Sequence, residues 1–439
     1  MPSSAYTTSE TSRLQSLIGQ DRIAPDVYAD PALFELEMER LFGRSWLYVG
    51  HECQIPESGD YFTTRLGRHD VIVVRDQDGR IHALHNRCTH RGPHLCGNPS
   101  GRVSRFVCPY HSWNFRLDGK LIGVPLPDEY PESFDKSDHS LARVPCVDHY
   151  RGFLFARLSG EGPDLGTFLG PLRAAFDDLL DRSPSAQIEP IPGVIRHRYR
   201  ANWKMMFENL NDVFHAAYAH ASASAGLREV SDPDKLHRVL RSLIAVPDLL
   251  PKFQKFASNI TPHGHSYVSG LISLANQELP RDAHFECLAA VHGDERAREI
   301  LSTDLHLALV YPSCTVNASQ QTIRVVRPLS VDETEVWGYC FRLRGVPDEV
   351  TRNSLFYCNV ATSAFSPVVA DDLEIYERAQ SNLATGGPRG TYCARGYGAS
   401  GAGPSATSEE YIRNQYRVWL RHMSDDSSAS EPGITAEAV

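Results

Sequence analysis

Cys88-Thr-His90-Arg91-Gly92 and Cys108-Pro-Tyr-His111-Ser112-Trp113, with seventeen residues between His90 and Cys108, decide how this chain is read. Each stretch pairs one cysteine with one histidine. Zinc fingers pair like with like, as C-x-x-C and H-x-x-x-H. Mixed pairs suit a [2Fe–2S] cluster with two thiolates on one iron and two imidazoles on the other. Neutral imidazoles leave less negative charge on the cluster, which raises its reduction potential. Such a centre accepts electrons from a flavin or ferredoxin and passes them on.

Working outward, short strands flank these loops. Segments 71–74 and 81–84 surround Asp78-Gly79, and 115–117 and 121–124 surround Asp118-Gly119, both hairpin signatures. The region 45–160 is therefore expected to be a small all-β module whose loop tips hold the cluster. Before it, residues 1–29 read as a loose lead-in, and Asp30 caps a helix with Pro31 at its first position. After it, helix is expected over 165–182, strands at 194–200, 305–311, 322–326 and 336–343, and helices near 347–358 and 371–380. Thr407 with Glu410 reads as a capping box for a last helix through Met423. The segment 225–300 is mixed, and 424–439 is expected to be a disordered tail.

Composition narrows the class. The chain has 439 residues, a net charge of -10 and 41% hydrophobic residues, so it can bury a large core. No cluster of basic residues offers phosphate contacts, which excludes nucleic-acid binding. No apolar run of about eighteen residues occurs, and the polar N-terminus lacks a signal core; a cytoplasmic protein is expected. Ten cysteines are scattered along the chain. Two serve the cluster, and eight are expected to be free thiols in a reducing compartment.

A second metal site is visible in 203–220, Trp-Lys-Met-Met-Phe-Glu-Asn-Leu-Asn-Asp-Val-Phe-His-Ala-Ala-Tyr-Ala-His. Read as one helix capped by Asn202, it gathers Glu208, Asn209, Asp212 and His215 on one side. His215 and His220 stand about 140° apart on an ideal helix. Either the helix distorts near Ala217, or His220 belongs to a looser last turn. With a carboxylate they complete the two-histidine facial triad of non-haem Fe(II) oxygenases. Asp372 is the candidate, with Asp371 as the alternative. Gly396, Gly398 and Gly401 match G-x-G-x-x-G but lack a strand–turn–helix context, so they read as loop. No nicotinamide or flavin site remains, and electrons must come from another protein.

From about Tyr28 to Met423 the chain resembles the catalytic α subunits of Rieske non-haem iron aromatic-ring-hydroxylating oxygenases. The two cluster loops and Glu208-Asn-x-x-Asp212-x-x-His215-x-x-x-x-His220 carry the resemblance. Asp30-Pro-x-Leu-Phe-x-Leu-Glu-Met-Glu and His51-Glu-x-Gln-Ile-Pro are closest to the benzoate and anthranilate dioxygenase branch. Two departures stand out. Ser112 replaces a glycine of many relatives, and Tyr110 replaces the disulfide cysteine of respiratory Rieske proteins, leaving Cys96 without that partner.

The resemblance implies an α+β chain: an all-β Rieske domain, 45–160, inserted in a helix-grip catalytic domain, 1–44 and 161–423, with an antiparallel sheet flanked by helices. It implies cluster ligands Cys88, His90, Cys108 and His111, iron ligands His215, His220 and Asp372, and a head-to-tail trimer, with or without a small β subunit as α3β3. Asp212 would bridge a neighbour's cluster histidine, His111, to an iron-ligating histidine. An NADH-dependent reductase, with or without a ferredoxin, would supply electrons for cis-dihydroxylation of an aromatic carboxylate. Arg324 is the candidate carboxylate anchor, preferred to Arg327, and Asn209, Ala216 and Val368 are candidate pocket residues. A monooxygenase or demethylase on the same scaffold, and a plain electron carrier, are the alternatives.

Overall fold

The computed structural model describes residues 8–230, 232, 237, 240, 250–269, 281–303, 305–387, 390–398 and 405–424. Gly401, the tail after Ser424 and much of 225–300 lie outside the described residues. The chain divides into two compact units, Phe42–Phe168 and Met1–Leu41 with Leu169–Val439.

The smaller unit is built from short antiparallel strands. Ile81–His85, His69–Arg75, Asp60–Leu66 and Ser100–Arg102 form one sheet in that order. Phe106–Val107, Asn114–Phe115 and Leu121–Gly123 form a second, and Cys146–Tyr150, Phe153–Arg157 and Leu47–His51 a third. Both predicted hairpins are present. Their glycines, Gly79 at φ +81° and Gly119 at φ +90°, take the left-handed backbone these tight turns need. Ile72, Val74, Leu84, Phe106, Trp113 and Phe115 pack around Cys88 and Cys108. This apolar core carries the cluster loops.

The larger unit is organised by an eight-stranded antiparallel sheet. In chain order its strands are β1 (Ile188–Pro190), β2 (Ile195–Tyr199), β3 (Ser258–Ile260), β4 (Ser266–Ser269), β5 (Leu305–Val310), β6 (Cys314–Asn317), β7 (Thr322–Ser330) and β8 (Glu333–Leu343). β1 and β2 both pair with β8, and the sheet continues β8-β7-β6-β5-β4-β3. The helices that matter for the site are α1 (Lys204–Leu210), α2 (Val213–Ala219), α3 (Pro367–Leu383) and α4 (Glu410–Met423). Among the described residues no helix is long and apolar enough to cross a membrane.

Four sequence expectations are corrected. The described part of the lead-in is regular structure: it holds the helices Thr8–Leu17 and Asp26–Ala29 and the strand Arg22–Ile23, which pairs with Thr391–Tyr392. Leu14, Leu17, Ile23, Val27 and Tyr28 are all buried there, so tertiary packing orders a segment whose local signals are weak. The expected helix over 203–220 is broken. α1 stops at Asn211, and Asp212 starts α2 as an N-cap at ψ 82°, its side chain accepting from Phe214 N–H. The polar stripe therefore dissolves: Glu208 turns into the core, where the hydroxyls of Tyr28, at 2.8 Å, and Tyr416 donate to it. Lastly, α4 lacks the capping box. Ser408 Oγ accepts from Glu410 N–H at 3.2 Å, while Thr407 Oγ1 pairs with Ser405.

Candidate metal centres and active site

In the smaller unit two loops are pinned by backbone hydrogen bonds. Cys88 N–H donates to Pro93 O and Gly92 N–H to Cys88 O, both at 2.9 Å. Cys108 N–H donates to Trp113 O at 2.9 Å and Ser112 N–H to Cys108 O at 3.0 Å. Each loop closes on a left-handed residue, Gly92 at φ +83° and Ser112 at φ +52°. Both thiols are buried, and burial raises the pKa of Cys88 while the backbone N–H of His90 works against it. The His90 and His111 rings lie 4.7 Å apart, and Trp113 stacks on His90 at 4.8 Å. The Nδ1 atoms of His90 and His111 are both buried without a hydrogen-bond partner. Orphaned imidazole nitrogens beside buried thiols are costly. Metal bonds would satisfy all four, so these donors fit the cluster.

In the larger unit His215, His220 and Asp372 converge, with their ligand atoms all within 4.8 Å of one another. Asp372 Oδ1 lies 3.4 Å from His215 Nε2 and 3.5 Å from His220 Nε2. The two rings are 5.2 Å apart and nearly perpendicular, at 79°. Local structure explains how histidines five apart meet. His215 sits on α2, and His220 is its C-cap at φ -99°, ψ 19°, outside regular helix. The looser last turn, rather than a distortion near Ala217, brings the second imidazole round.

Each ligand is held from behind. The Nδ1 side of His215 hydrogen-bonds to the backbone carbonyl of Asp212, which leaves Nε2 facing Asp372. Asp371 Oδ2 lies 3.5 Å from His220 Nδ1. Asn209 Nδ2 donates to Asp372 Oδ1 at 3.1 Å. Burial lowers the pKa of His215, but the hydrogen bond and charge of Asp372 more than reverse this and leave it raised. Two neutral-capable imidazoles and one buried carboxylate, with orienting partners behind them, fit a mononuclear Fe(II).

Comparison with known proteins agrees with both centres. Residues 45–147 match the Rieske [2Fe-2S] domain, and residues 187–425 match the catalytic domain of the ring hydroxylating alpha subunit. The chain belongs to the ring-hydroxylating α subunits. It is 33% identical over 370 residues to the 2-halobenzoate 1,2-dioxygenase large subunit of Burkholderia cepacia, covering 83% of this chain and 77% of that one. It is 30% identical to the anthranilate 1,2-dioxygenase large subunit of Acinetobacter baylyi, covering 89% and 84%. The solved structure of naphthalene 1,2-dioxygenase with indole in its active site superposes with a TM-score of 0.77 at 26% identity, covering 93% and 94%. As a ring-hydroxylating α subunit, the chain is an oxidoreductase of the dioxygenase class. Its cofactors are a Rieske [2Fe–2S] cluster and a mononuclear non-haem iron.

The structure brings Asn209, His215, His220 and Asp372 together. Ala216 and Val368 are half-buried, one following His215 and the other one helical turn before Asp372. Arg324 lines a cavity with His197, Cys358 and Thr362, and it feels the charge of Asp372. Arg327 is engaged elsewhere, its guanidinium 3.6 Å from the centroid of the Trp337 ring. Sequence reasoning missed Arg395, which binds Asp212 Oδ1 at 2.9 Å. It lies in a loop with no periodic signal. His197 was missed too, because a histidine in a polar-looking strand carries no motif.

Proposed function

We propose that this chain is the terminal oxygenase subunit that adds both atoms of O2 to the ring of an aromatic carboxylate, giving a cis-dihydrodiol. The observation that carries the reading is the meeting of His215 Nε2, His220 Nε2 and Asp372 Oδ1 in a chain that also holds the two cluster loops. Bound iron supplies oxygen activation, and the cluster supplies single electrons. The protein's own part is positioning. His215 and His220 offer Nε2 lone pairs because their Nδ1 sides are taken by the Asp212 carbonyl and Asp371. Asn209 fixes the rotamer of Asp372 by donating to the same oxygen that faces both rings. Cys88, His90, Cys108 and His111 hold the cluster.

Asp212 is assigned the link between the two centres. Phe214 N–H and Arg395 hold its Oδ1 at 3.0 and 2.9 Å. Its Oδ2 accepts no hydrogen bond among the described residues, and the side chain is 19% exposed. An open carboxylate oxygen on the residue whose own carbonyl pairs with the iron-ligating His215 suits an N–H from His111 of a second copy, in a head-to-tail trimer or an α3β3 assembly. A separate NADH-dependent reductase, alone or with a ferredoxin, delivers the electrons.

The aromatic acids named for the relatives support a carboxylate substrate. Arg324 is assigned the anchor because it is half-buried, free of ion pairs among the described residues, and electrostatically coupled to Asp372. The test is turnover of benzoate-series acids under ¹⁸O2 with a reconstituted reductase. Two labelled atoms per product are expected; one would replace this reading with a monooxygenase. Arg324→Leu is expected to lower kcat/KM for acids about a hundredfold while changing neutral arenes little. Equal losses for both would remove the anchor.

A further inference from the structure

Across three neighbouring strands of the catalytic sheet, one row reads Ile195, Gly338, Arg324. Two positions along, the row reads His197, Val336, Val326. Residues two apart on a strand share a face. His197 and Arg324 therefore rise from the same side of the sheet, Arg324 directly beside Gly338 and His197 diagonally across it, one row on. Strands on either side of a third lie about 9–10 Å apart, within reach of a guanidinium and an imidazole leaning inward. Both line one cavity, together with Thr322, Cys340, Cys358 and Thr362.

Gly338 has no local reason to be glycine. Its backbone is not left-handed, and a Cβ placed there would meet only Ile195, at 3.4 and 3.6 Å. Those are ordinary contacts. Glycine inside a long strand weakens it, and it commonly marks the close approach of another group. The guanidinium and the imidazole near it are also unmatched. Among the described residues Arg324 has no hydrogen bond or ion pair, and His197 Nδ1 is buried with no hydrogen-bond partner. Burial, followed by the charge of Arg324, lowers the His197 pKa to about 4, so the ring is neutral near pH 7 and carries one N–H. A guanidinium half withdrawn from water and without a paired anion favours an anionic ligand. Cys358 and Thr362 belong to the turn Cys358–Thr362 just before α3, the helix that carries Asp372. The cavity thus lies close in sequence to the helix of a metal ligand, and Arg324 feels the charge of Asp372.

We propose that His197 and Arg324 form a two-sided subsite for the substrate carboxylate, with Gly338 clearing the space it occupies. This rests on the aromatic-carboxylate reading above. Arg324 neutralises the charge and engages the carboxylate through its fork, while His197 donates its N–H to one oxygen. A primary amide of the same shape satisfies only one of the two donors and leaves the guanidinium uncompensated. His197 therefore sets specificity for two acceptor oxygens, which Arg324 alone does not.

The experiment is calorimetric titration of the full chain with benzoate, 2-aminobenzoate, 2-chlorobenzoate and 4-methylbenzoate, each alongside its primary amide. In the wild-type chain at least one acid is expected to bind tenfold or more tighter than its amide. His197→Leu is expected to weaken that acid by about 10- to 100-fold, the usual loss of a hydrogen bond to a charged group, and its amide by less than threefold. His197→Gln keeps an N–H and is expected to recover most of the affinity. Gly338→Ala is expected to weaken acid and amide alike while melting at the wild-type temperature. Unchanged acid binding in His197→Leu, or equal losses for acid and amide, overturns the role of His197. Failure of every acid to bind the wild-type chain overturns the carboxylate reading itself.

Discussion

Ser112 shows how a single side chain reports on the backbone beneath it. It closes the second cluster loop at φ +52°, in the left-handed region where a Cβ costs about 1–2 kcal/mol. The resemblance expects glycine there, and the backbone explains why. Ser112 is exposed, so substitutions report on conformation rather than packing. Ser112→Gly is expected to leave the melting temperature of the cluster-bearing unit unchanged or raise it by a few degrees. Ser112→Val keeps the strained angle with a β-branched residue and is expected to lower it by roughly 4 °C or more. Cluster absorbance during heating checks both. The two aspartates at the iron site separate by position: Asp372 faces both Nε2 atoms, and Asp371 faces the back of His220. Asp372→Ala is expected to abolish iron binding, while Asp371→Ala weakens it about tenfold. Iron analysis by atomic absorption distinguishes these outcomes, and the reverse order would exchange the two roles. Cysteine and histidine ligands were legible in sequence because their spacing is their chemistry. Asp212's carbonyl was not, because a backbone acceptor leaves no mark on residue identity.

Among elements, the break between α1 and α2 matters most. Helical periodicity describes 203–220 well, and it fails at Asn211-Asp212 because a short polar side chain offers the backbone a competing hydrogen bond. The cost of the break is offset by what it exposes: an N-cap carboxylate beside His215. Asp212→Ala is expected to cost about 1 kcal/mol of stability through the lost cap. It is also expected to keep three irons per chain yet reduce turnover by at least a hundredfold. Full turnover in this variant would remove the proposed link. A second element carries a pH dependence. His51 precedes the short helical turn Glu52–Gln54, and its Nδ1 accepts the N–H of Cys53 at 3.1 Å. Burial lowers its pKa from 6.5 to about 4. Between those values the unfolded chain holds a proton that the folded chain refuses, so stability falls as pH falls. From pH 7 to pH 5 the loss is expected to be about 2 kcal/mol. Urea unfolding of His51→Gln should show a flatter pH profile; the same slope as wild type would place the acid sensitivity elsewhere.

At the scale of the whole molecule, three irons per chain are expected, two in the smaller unit and one in the larger. A value of two would return the protein to the electron-carrier class. Parts of β7 and β8 were visible in sequence as strand segments at 322–326 and 336–343, while the antiparallel sheet was implied by the resemblance and its strand order appears only in the structure. The ordered lead-in was not visible, because its apolar residues pair with strand Thr391–Tyr392 and helix α4 far along the chain.

His220 and Asp372 stand 152 positions apart (372 − 220), yet their side chains meet at one ion site. A cation gripped between α2 and α3 works as a reversible cross-link that closes a loop of that length. Closing so long a loop restricts the unfolded ensemble by about 5 kcal/mol in the chain-entropy picture. Stripping the iron with a chelator should therefore speed amide exchange across Val213–Ala219 and Pro367–Leu383. Strand His69–Arg75 of the other unit should keep its protection.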